Sequence, residues 1–238
     1  MGTFNELKNR LLNAGASLVG FANLIGVELT DEFNYPSGIS IAVALDPGVL
    51  STIKDNPTKE YEAEYELVNS KLDELSYMGE KFLVEAGYKA KAIPATTHSY
   101  DPVALRAAYQ HKTTAILAGL GWIGKLDVFV TEQYGSGLRL ASILTNLLPE
   151  EEDIKPIMES KCGECTACAD ACPVDASKRI NWKTGMKREE LVDIKACNNS
   201  ITERKGKLGI SYSICGICIV SCPWTRRYIS SANTNSGR

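Results

Sequence analysis

Long hydrophobic runs are what this 238-residue chain most conspicuously lacks. No apolar stretch is long enough to cross a bilayer, which excludes a helical membrane span. The stretch from Ala14 to Val27 is broken by Gly15, Gly20, Asn23 and Gly26 and follows a helical pattern containing Glu6, so it does not read as an export signal. Charge of one sign is also lacking: 26 basic residues face 29 acidic ones, a net of −3. Nothing points to an oxidising compartment. The expectation is a soluble, cytoplasmic protein with no membrane partner.

Cysteine is what the chain does have. Cys162, Cys165, Cys168 and Cys172 form C-x2-C-x2-C-x3-C before Pro173. Cys215, Cys218 and Cys222 form C-x2-C-x3-C before Pro223, and Cys197 stands between the runs. The first run has the spacing of a two-cluster ferredoxin, in which three thiolates hold one [4Fe–4S] cube and the fourth ligates the other. A complete second run would place a cysteine at position 212, which is Tyr212. Cys197 is the one sulfur left to replace it. The expected ligand sets are therefore Cys162, Cys165, Cys168 and Cys222 for one cluster, and Cys172, Cys197, Cys215 and Cys218 for the other. Zinc favours two CxxC pairs per ion and suits these runs badly. Disulfides would need an oxidising environment.

All eight cysteines lie beyond residue 160, so a substantial domain precedes them. Thr3 to Glu6 reads as a capping box opening a helix with Leu7, Leu11 and Leu12 on one face. Ser17–Ala22 and Gly38–Leu45 read as strands. Tyr61–Ala86 reads as a helix carrying Leu67, Leu72, Leu75, Met78 and Leu83, stopped at Gly87. Tyr88–Pro94 follows as strand and Val103–Leu117 as helix. Val128–Thr131 and Leu138–Leu147 read as strands around a turn, and Pro149 to Pro156 as an acidic linker. This order predicts an α+β chain with a mixed sheet. The boundary is expected at 155/156: residues 1–155 form one domain, 156–238 a small ferredoxin-like domain.

Gly119, Gly121 and Gly124 satisfy G-x-G-x-x-G, but a helix precedes them, a strand follows, and no acid lies near Leu144–Asn146. The dinucleotide fingerprint needs the reverse order and that acid. The glycines instead signal a close backbone approach to a flat group, or a tight helix–strand corner. Residues 176–238 carry twelve Lys or Arg against four Asp or Glu. Nucleic-acid binding is one reading. Charge compensation of anionic clusters is the other, and it is favoured because the basic residues interleave with the ligands.

The stretch Ala118-Gly-Leu-Gly-Trp-Ile-Gly-Lys125, then Tyr134-Gly135-Ser136, then Leu140-Ala-Ser-Ile-Leu-Thr-Asn146 and the two cysteine runs, resemble the epoxyqueuosine reductase family. They also resemble the core of corrinoid-dependent reductive dehalogenases. The resemblance implies a nitroreductase-like three-layer α/β/α domain binding cobalamin, followed by the two-cluster domain. It implies low-potential electrons passed from a cluster to cobalt, reduction to Co(I), reaction with substrate and protonation of product. It places Gly119, Gly121, Trp122, Gly124, Lys125, Tyr134, Gly135 and Ser136 at the corrin, although Trp122 and Ile123 serve equally as core.

Departures from the family pattern are informative. The aspartate expected as proton donor after Tyr88–Pro94 is replaced by Ala95-Thr-Thr-His98-Ser-Tyr100-Asp101, making His98, Tyr100 and Asp101 the candidate donors. Asp101-Pro102 reads alternatively as a helix cap. Neither His98 nor His111 sits in a D-x-H-x-x-G motif, so cobalt is expected without a histidine beneath it. The helical-repeat extension that many relatives wrap around tRNA does not follow the second run. The implied substrate is a small molecule or a modified nucleoside, tRNA included, and the implied donor a ferredoxin or flavodoxin. An iron–sulfur electron carrier, or a reductive activator of a corrinoid partner, is the alternative function. FMN is the alternative cofactor, its phosphate calling on Lys125 or Arg139.

Overall fold

The computed structural model describes residues 2–95, 100–150 and 155–235. Two compact units emerge, each assembled from separated segments. Residues 1–44, 68–120 and 139–157 form the first, and residues 45–67, 121–138 and 158–238 the second. This partition differs from a single cut at 155/156. The reason is visible in the contacts of residues 45–67 and 121–138, which pack on the cysteine-bearing segment, as described below.

The first unit is built on a sheet of β1 (Leu18–Asn23), β2 (Ser37–Ala44), β8 (Leu138–Thr145) and β3 (Ala90–Ile93), in the order β1-β2-β8-β3. β1 pairs antiparallel with β2, and β3 antiparallel with β8. β2 is buried through seven of its eight positions, as a strand covered on both faces must be. One cover is α1 (Thr3–Asn13) with α3 (Lys59–Glu85), a helix whose later part belongs to this unit. Phe4 of α1 stacks on Phe21 with ring centroids 4.4 Å apart. Gly79 of α3 approaches Ile143 and Leu7 so closely that an added Cβ would lie 2.3 Å from the Ile143 Cδ1.

The opposite cover is α4 (His111–Leu117), which packs on β1 and β2. Gly20 permits that approach, since a Cβ there would sit 2.9 Å from the Ala118 Cβ. The alternation of strand side chains sorts the two faces. Phe21 and Ile143 point to α1 and α3, whereas Ala22 and Leu144 join Ala118 in the cluster on the α4 face. The three layers of an α/β/α unit follow.

Several local expectations shift. Gly2, not Thr3, is the N-cap of α1 and offers no side chain, while Glu6 pairs with Arg10 at 2.7 Å. The buried stripe of α3 runs through Val68, Leu72, Leu75 and Leu83, while Leu67 is 66% and Met78 37% exposed. Leu12 of α1 is likewise exposed. The segment expected as one helix from Val103 is largely a hairpin, β4 (Tyr100–Asp101) against β5 (Arg106–Ala107), and α4 starts only at His111. Pro102 and Leu105, the latter at φ 52°, shape the turn that breaks the helical pattern.

In the second unit, α2 (Pro47–Thr52) is capped by Asp46, whose carboxylate accepts from the Val49 N–H at 2.9 Å. β6 (Trp122–Ile123) and β7 (Phe129–Val130) form a tight hairpin. The cysteine-bearing segment adds α5 (Ala167–Asp170), α6 (Ile194–Leu208), α7 (Ile217–Ser221) and α8 (Pro223–Asn235).

A candidate iron–sulfur and cofactor site

Short turns and helices set the spacing of the thiols. Cys165 N–H donates to Cys162 O at 3.1 Å, and α5 carries Cys168. Cys172 then closes its own turn, where the Ala176 N–H donates to the Cys172 Sγ at 3.4 Å. Cys197 sits in the first turn of α6, which Asp193 caps through the Ala196 N–H at 3.0 Å. Cys218 lies on α7. Cys222 is the extended residue between α7 and α8, held out of the helical region by the following Pro223.

Thiols of the two runs lie beside one another. Burial first, and then the neighbouring Cys162, Cys222 and Cys165, push the Cys168 thiol up to about 11. Burial followed by Cys172 and Cys215 pushes Cys197 up to about 11. Cys218 is raised by burial, then by Cys215, Cys168, Cys197 and Cys172. Cys222, though it ends the second run, is pushed up by burial and then feels Cys162 of the first. Cys168, Cys172, Cys197 and Cys218 also pack around the same small apolar core of Leu126, Ala176 and Val192. Among the described residues, no three His, Cys, Asp or Glu side chains converge on a point as a single metal ion requires. A cube spreads its thiolates over four iron corners and makes no such demand. Raised thiols must lose their protons on ligation, so loading releases protons and is favoured by higher pH.

Position 212, where the second run lacks a cysteine, serves packing instead. Tyr212 packs against Tyr65 at a tilt with centroids 5.2 Å apart, and its N–H donates to the Glu62 carboxylate at 3.3 Å. Arg204 of α6 donates to the Asp55 carbonyl and to Asn56 Oδ1 at 2.6 Å. These contacts bind residues 45–67 to the cysteine segment.

The residues of the glycine-rich stretch fall into separate environments. Trp122 and Ile123 are buried, 0% and 3% exposed. A Cβ on Gly121 would lie 2.1 Å from Val130 O, one on Gly119 2.4 Å from Lys155 O, and one on Gly135 2.2 Å from the Thr225 N. Close passage of protein backbone thus accounts for these three glycines, while Gly124 is in looser contact with Val130 and Val128. Lys125 is buried, and its carbonyl accepts from Ser177 Oγ at 3.2 Å. Tyr134 packs edge-on against Tyr228. Among the described residues, Trp122 Nε1 and Ser136 Oγ are buried without a hydrogen-bond partner.

Of the candidate proton donors, His98 lies outside the described residues. Tyr100 is 50% exposed. Asp101 accepts from the Val103 N–H at 2.8 Å and the Ala104 N–H at 3.0 Å, bonds that hold its carboxyl below the usual carboxylate range. It caps a turn of the β4–β5 hairpin rather than a helix. Arg139, considered above for a phosphate, donates to Asn69 Oδ1 at 3.0 Å.

Two groups of residues escape a reading of sequence. Trp224 meets the Trp122 ring edge-on at 5.2 Å, with Arg227 over its own face at 4.3 Å and Lys161 over Trp122 at 5.5 Å. Thr225 Oγ1 accepts from the Ser136 N–H at 2.9 Å. The Pro-Trp-Thr that follows Cys222 was the available signal. The second group is a buried polar cluster in the first unit: His111 Nδ1 meets Ser142 Oγ at 2.9 Å, and Tyr109 hydroxyl bonds Thr114 Oγ1. Burial, then the Arg139 charge, pulls His111 down to about 4, and burial pushes Tyr109 up to about 12. Ser142 inside an apolar strand was the faint hint.

Comparison with known proteins agrees with this geometry. Residues 161–225 match the 4Fe-4S double cluster binding domain family. An epoxyqueuosine reductase from Synechocystis sp. is 34% identical over 128 residues, 50% of this chain and 40% of that one. Its counterpart from Gloeobacter violaceus is 32% identical over 166 residues, 63% of this chain and 48% of that one. The chain thus spans less than half the length of these curated relatives. Among solved structures, an epoxyqueuosine reductase bound to an epoxyqueuosine-modified tRNA-Tyr stem loop superposes with a TM-score of 0.60 at 23% identity, over 94% of this chain and 66% of that one. A reductive dehalogenase, described with a mechanism for B12-dependent dehalogenation, gives 0.68 at 16% identity, over 96% and 33%. The chain therefore resembles the epoxyqueuosine reductases in sequence, shares its fold with them and with a reductive dehalogenase, and carries a double [4Fe–4S] cluster domain at its C-terminal side.

Proposed function

We propose that this chain is an iron–sulfur reductase of the epoxyqueuosine reductase type, with two [4Fe–4S] clusters and a corrinoid as its working groups. The observation that carries the reading is the interleaving of thiols from the two sequence runs: Cys222 lies beside Cys162, Cys197 beside Cys172 and Cys215, and Cys218 beside both Cys215 and Cys168. Cys162, Cys165, Cys168 and Cys222 hold one cluster, and Cys172, Cys197, Cys215 and Cys218 the other. When bound, the clusters supply electrons at low potential and the corrinoid supplies a cobalt centre able to accept them.

The fit to a corrinoid rests on side chains. Buried Lys125, the unpartnered Trp122 Nε1 and the unpartnered Ser136 Oγ are groups that a ligand rimmed with amides would satisfy. Tyr134, Gly119, Gly121, Gly124 and Gly135 shape the surrounding backbone. Flavin is less well supported, because Arg139 is engaged with Asn69. Among the proton-donor candidates, Tyr100 and His98 suit the role better than Asp101, which would have to give up two backbone bonds to take a proton. The substrate is a modified nucleoside or another small molecule, with epoxyqueuosine in tRNA the first to assay. The ionised state of Asp101 also favours a second reading, an electron carrier or a reductive activator of a corrinoid partner.

An anaerobic EPR titration of the cluster-loaded protein with cob(II)alamin separates the two. A bound, base-off cobalt signal is expected from a reductase. A spectrum that stays that of free cobalamin, with the clusters intact, sinks that reading in favour of the carrier.

A further inference from the structure

A groove of about 680 Å3 opens in the cysteine-bearing unit between α2 and residues 53–55 on one wall and α7 and α8 on the other. Three of its lining residues, Ala171, Ile217 and Ser221, immediately precede Cys172, Cys218 and Cys222. Those cysteines belong to both thiol groups, so the groove reaches within one residue of ligands on each side. Its floor is aliphatic, with Leu50, Val220 and Ile229, and its rim carries Lys54 and Arg226 with one acid, Asp55. The Arg226 Nε reaches Val220 O at 3.4 Å, which holds the guanidinium at the rim. The outer wall is anchored, because Arg204 from the Cys197 helix grips Asp55 and Asn56.

We propose that this groove is the docking port of an acidic one-electron carrier protein, through which the clusters are reduced. The proposal rests on the cluster reading given above. Two features select the occupant. An aliphatic floor beneath two cationic side chains is the layout of a protein interface, an apolar centre with a charged rim. Second, among the described residues no aromatic ring lines the groove, whereas a single-stranded nucleic acid would call for stacking platforms. In each encounter the carrier loses one electron and a cluster gains it. No bond is made or broken and no proton moves.

The test uses the cluster-loaded protein, an acidic [2Fe–2S] ferredoxin, and the pair of substitutions Lys54→Glu and Arg226→Glu. Binding of the oxidised ferredoxin is followed by calorimetry, and cluster bleaching by the reduced ferredoxin by stopped flow. Photoreduction with neutral deazariboflavin reports cluster integrity independently. Charge reversal is expected to weaken binding and slow ferredoxin-driven bleaching by about tenfold at low salt, to flatten the salt dependence, and to leave photoreduction unchanged. The milder pair Lys54→Gln and Arg226→Gln should give a smaller loss in the same direction. Unchanged ferredoxin kinetics in both pairs overturn the port. So does an RNA oligomer that binds in a Lys54- and Arg226-dependent way where ferredoxin does not. If the wild-type protein takes up no [4Fe–4S] cluster, the underlying cluster reading falls first and the port with it.

Discussion

In the unit built on the sheet, Phe21, Ile39, Ile41 and Ile143 are sealed from solvent and interlock across a strand covered on both faces. In the cysteine-bearing unit, the small core of Leu126, Ala176 and Val192 is ringed by Cys168, Cys172, Cys197 and Cys218. The first unit has the apolar surface to fold by burial alone. The second places thiols where the first places isoleucine, so with clusters held as proposed its free energy of folding is tied to iron. The two regions should therefore fail in different ways, and each substitution below tests that difference.

The largest effect should come from paired cysteine removals. If the thiols group as proposed, Cys165→Ala with Cys222→Ala strips one cluster and leaves half the iron. Cys215→Ala with Cys222→Ala, taken from a single sequence run, removes one ligand from each cluster and should leave almost none. Grouping by runs would give the opposite pair of results. Iron per chain measured after anaerobic loading decides between them. Limited proteolysis of the iron-free protein should cut within residues 158–235 before it cuts the sheet segments.

Next come the glycines, which separate backbone from side-chain crowding. A Cβ on Gly121 would meet a carbonyl oxygen, Val130 O, at 2.1 Å, and a backbone atom in a hairpin cannot step aside. Gly121→Ala is expected to cost about 3 kcal/mol. In the sheet unit, Gly79→Ala meets only the end of the Ile143 side chain, which can rotate, and the helix gains from alanine. A net loss of about 1 kcal/mol or less follows. Urea midpoints of the two cluster-loaded variants check the ranking, and equal losses would refute it.

The same contrast explains what could be read before the structure was in hand. The strands around Phe21 and Ile41 were legible because both faces are buried and their apolar runs are unbroken. The cysteine spacing was legible because ligation dictates it. The segment from Val103 to Gln110 was not, since its alanines and leucine fit a helix while Asp101 and Pro102 build a hairpin turn. Leu67 and Met78 misled for a related reason, as a long helix offers two apolar stripes and only packing chooses between them. The motif glycines were legible as a close approach. That the approaching groups include Val130 O, Lys155 O and Thr225 depends on contacts between distant segments, which periodicity does not encode.

In the sheet unit a pH effect should arise that does not involve the thiols. His111 is held neutral, its value drawn from the ordinary 6.5 down to about 4 by burial and then by Arg139. Between those values the unfolded chain binds a proton that the folded chain refuses, so stability is full above about 6.5 and falls as pH drops toward 4. The loss between about pH 7.5 and about pH 5 should approach about 2 kcal/mol. His111→Gln should flatten that slope, which urea unfolding at the two pH values would register. A slope that survives the substitution would assign the effect to other groups.

The smallest expected effect compares two glycines that have left-handed backbone and open space in common. Gly87 has φ +89° and Gly209 φ +63°, and nothing lies within 4 Å of a Cβ at either position. Alanine at each is penalised by backbone strain alone, about 1 kcal/mol. In the sheet unit that sum is a visible fraction of the total, and Gly87→Ala should lower the melting midpoint by about 3 °C. At Gly209, the C-cap of the helix bearing Cys197, the same strain competes with metal-linked folding worth on the order of 10 kcal/mol. Gly209→Ala should therefore leave iron retention unchanged under chelator challenge. Iron loss from Gly209→Ala, with none from Gly87→Ala, would show that metal-linked folding does not absorb the strain.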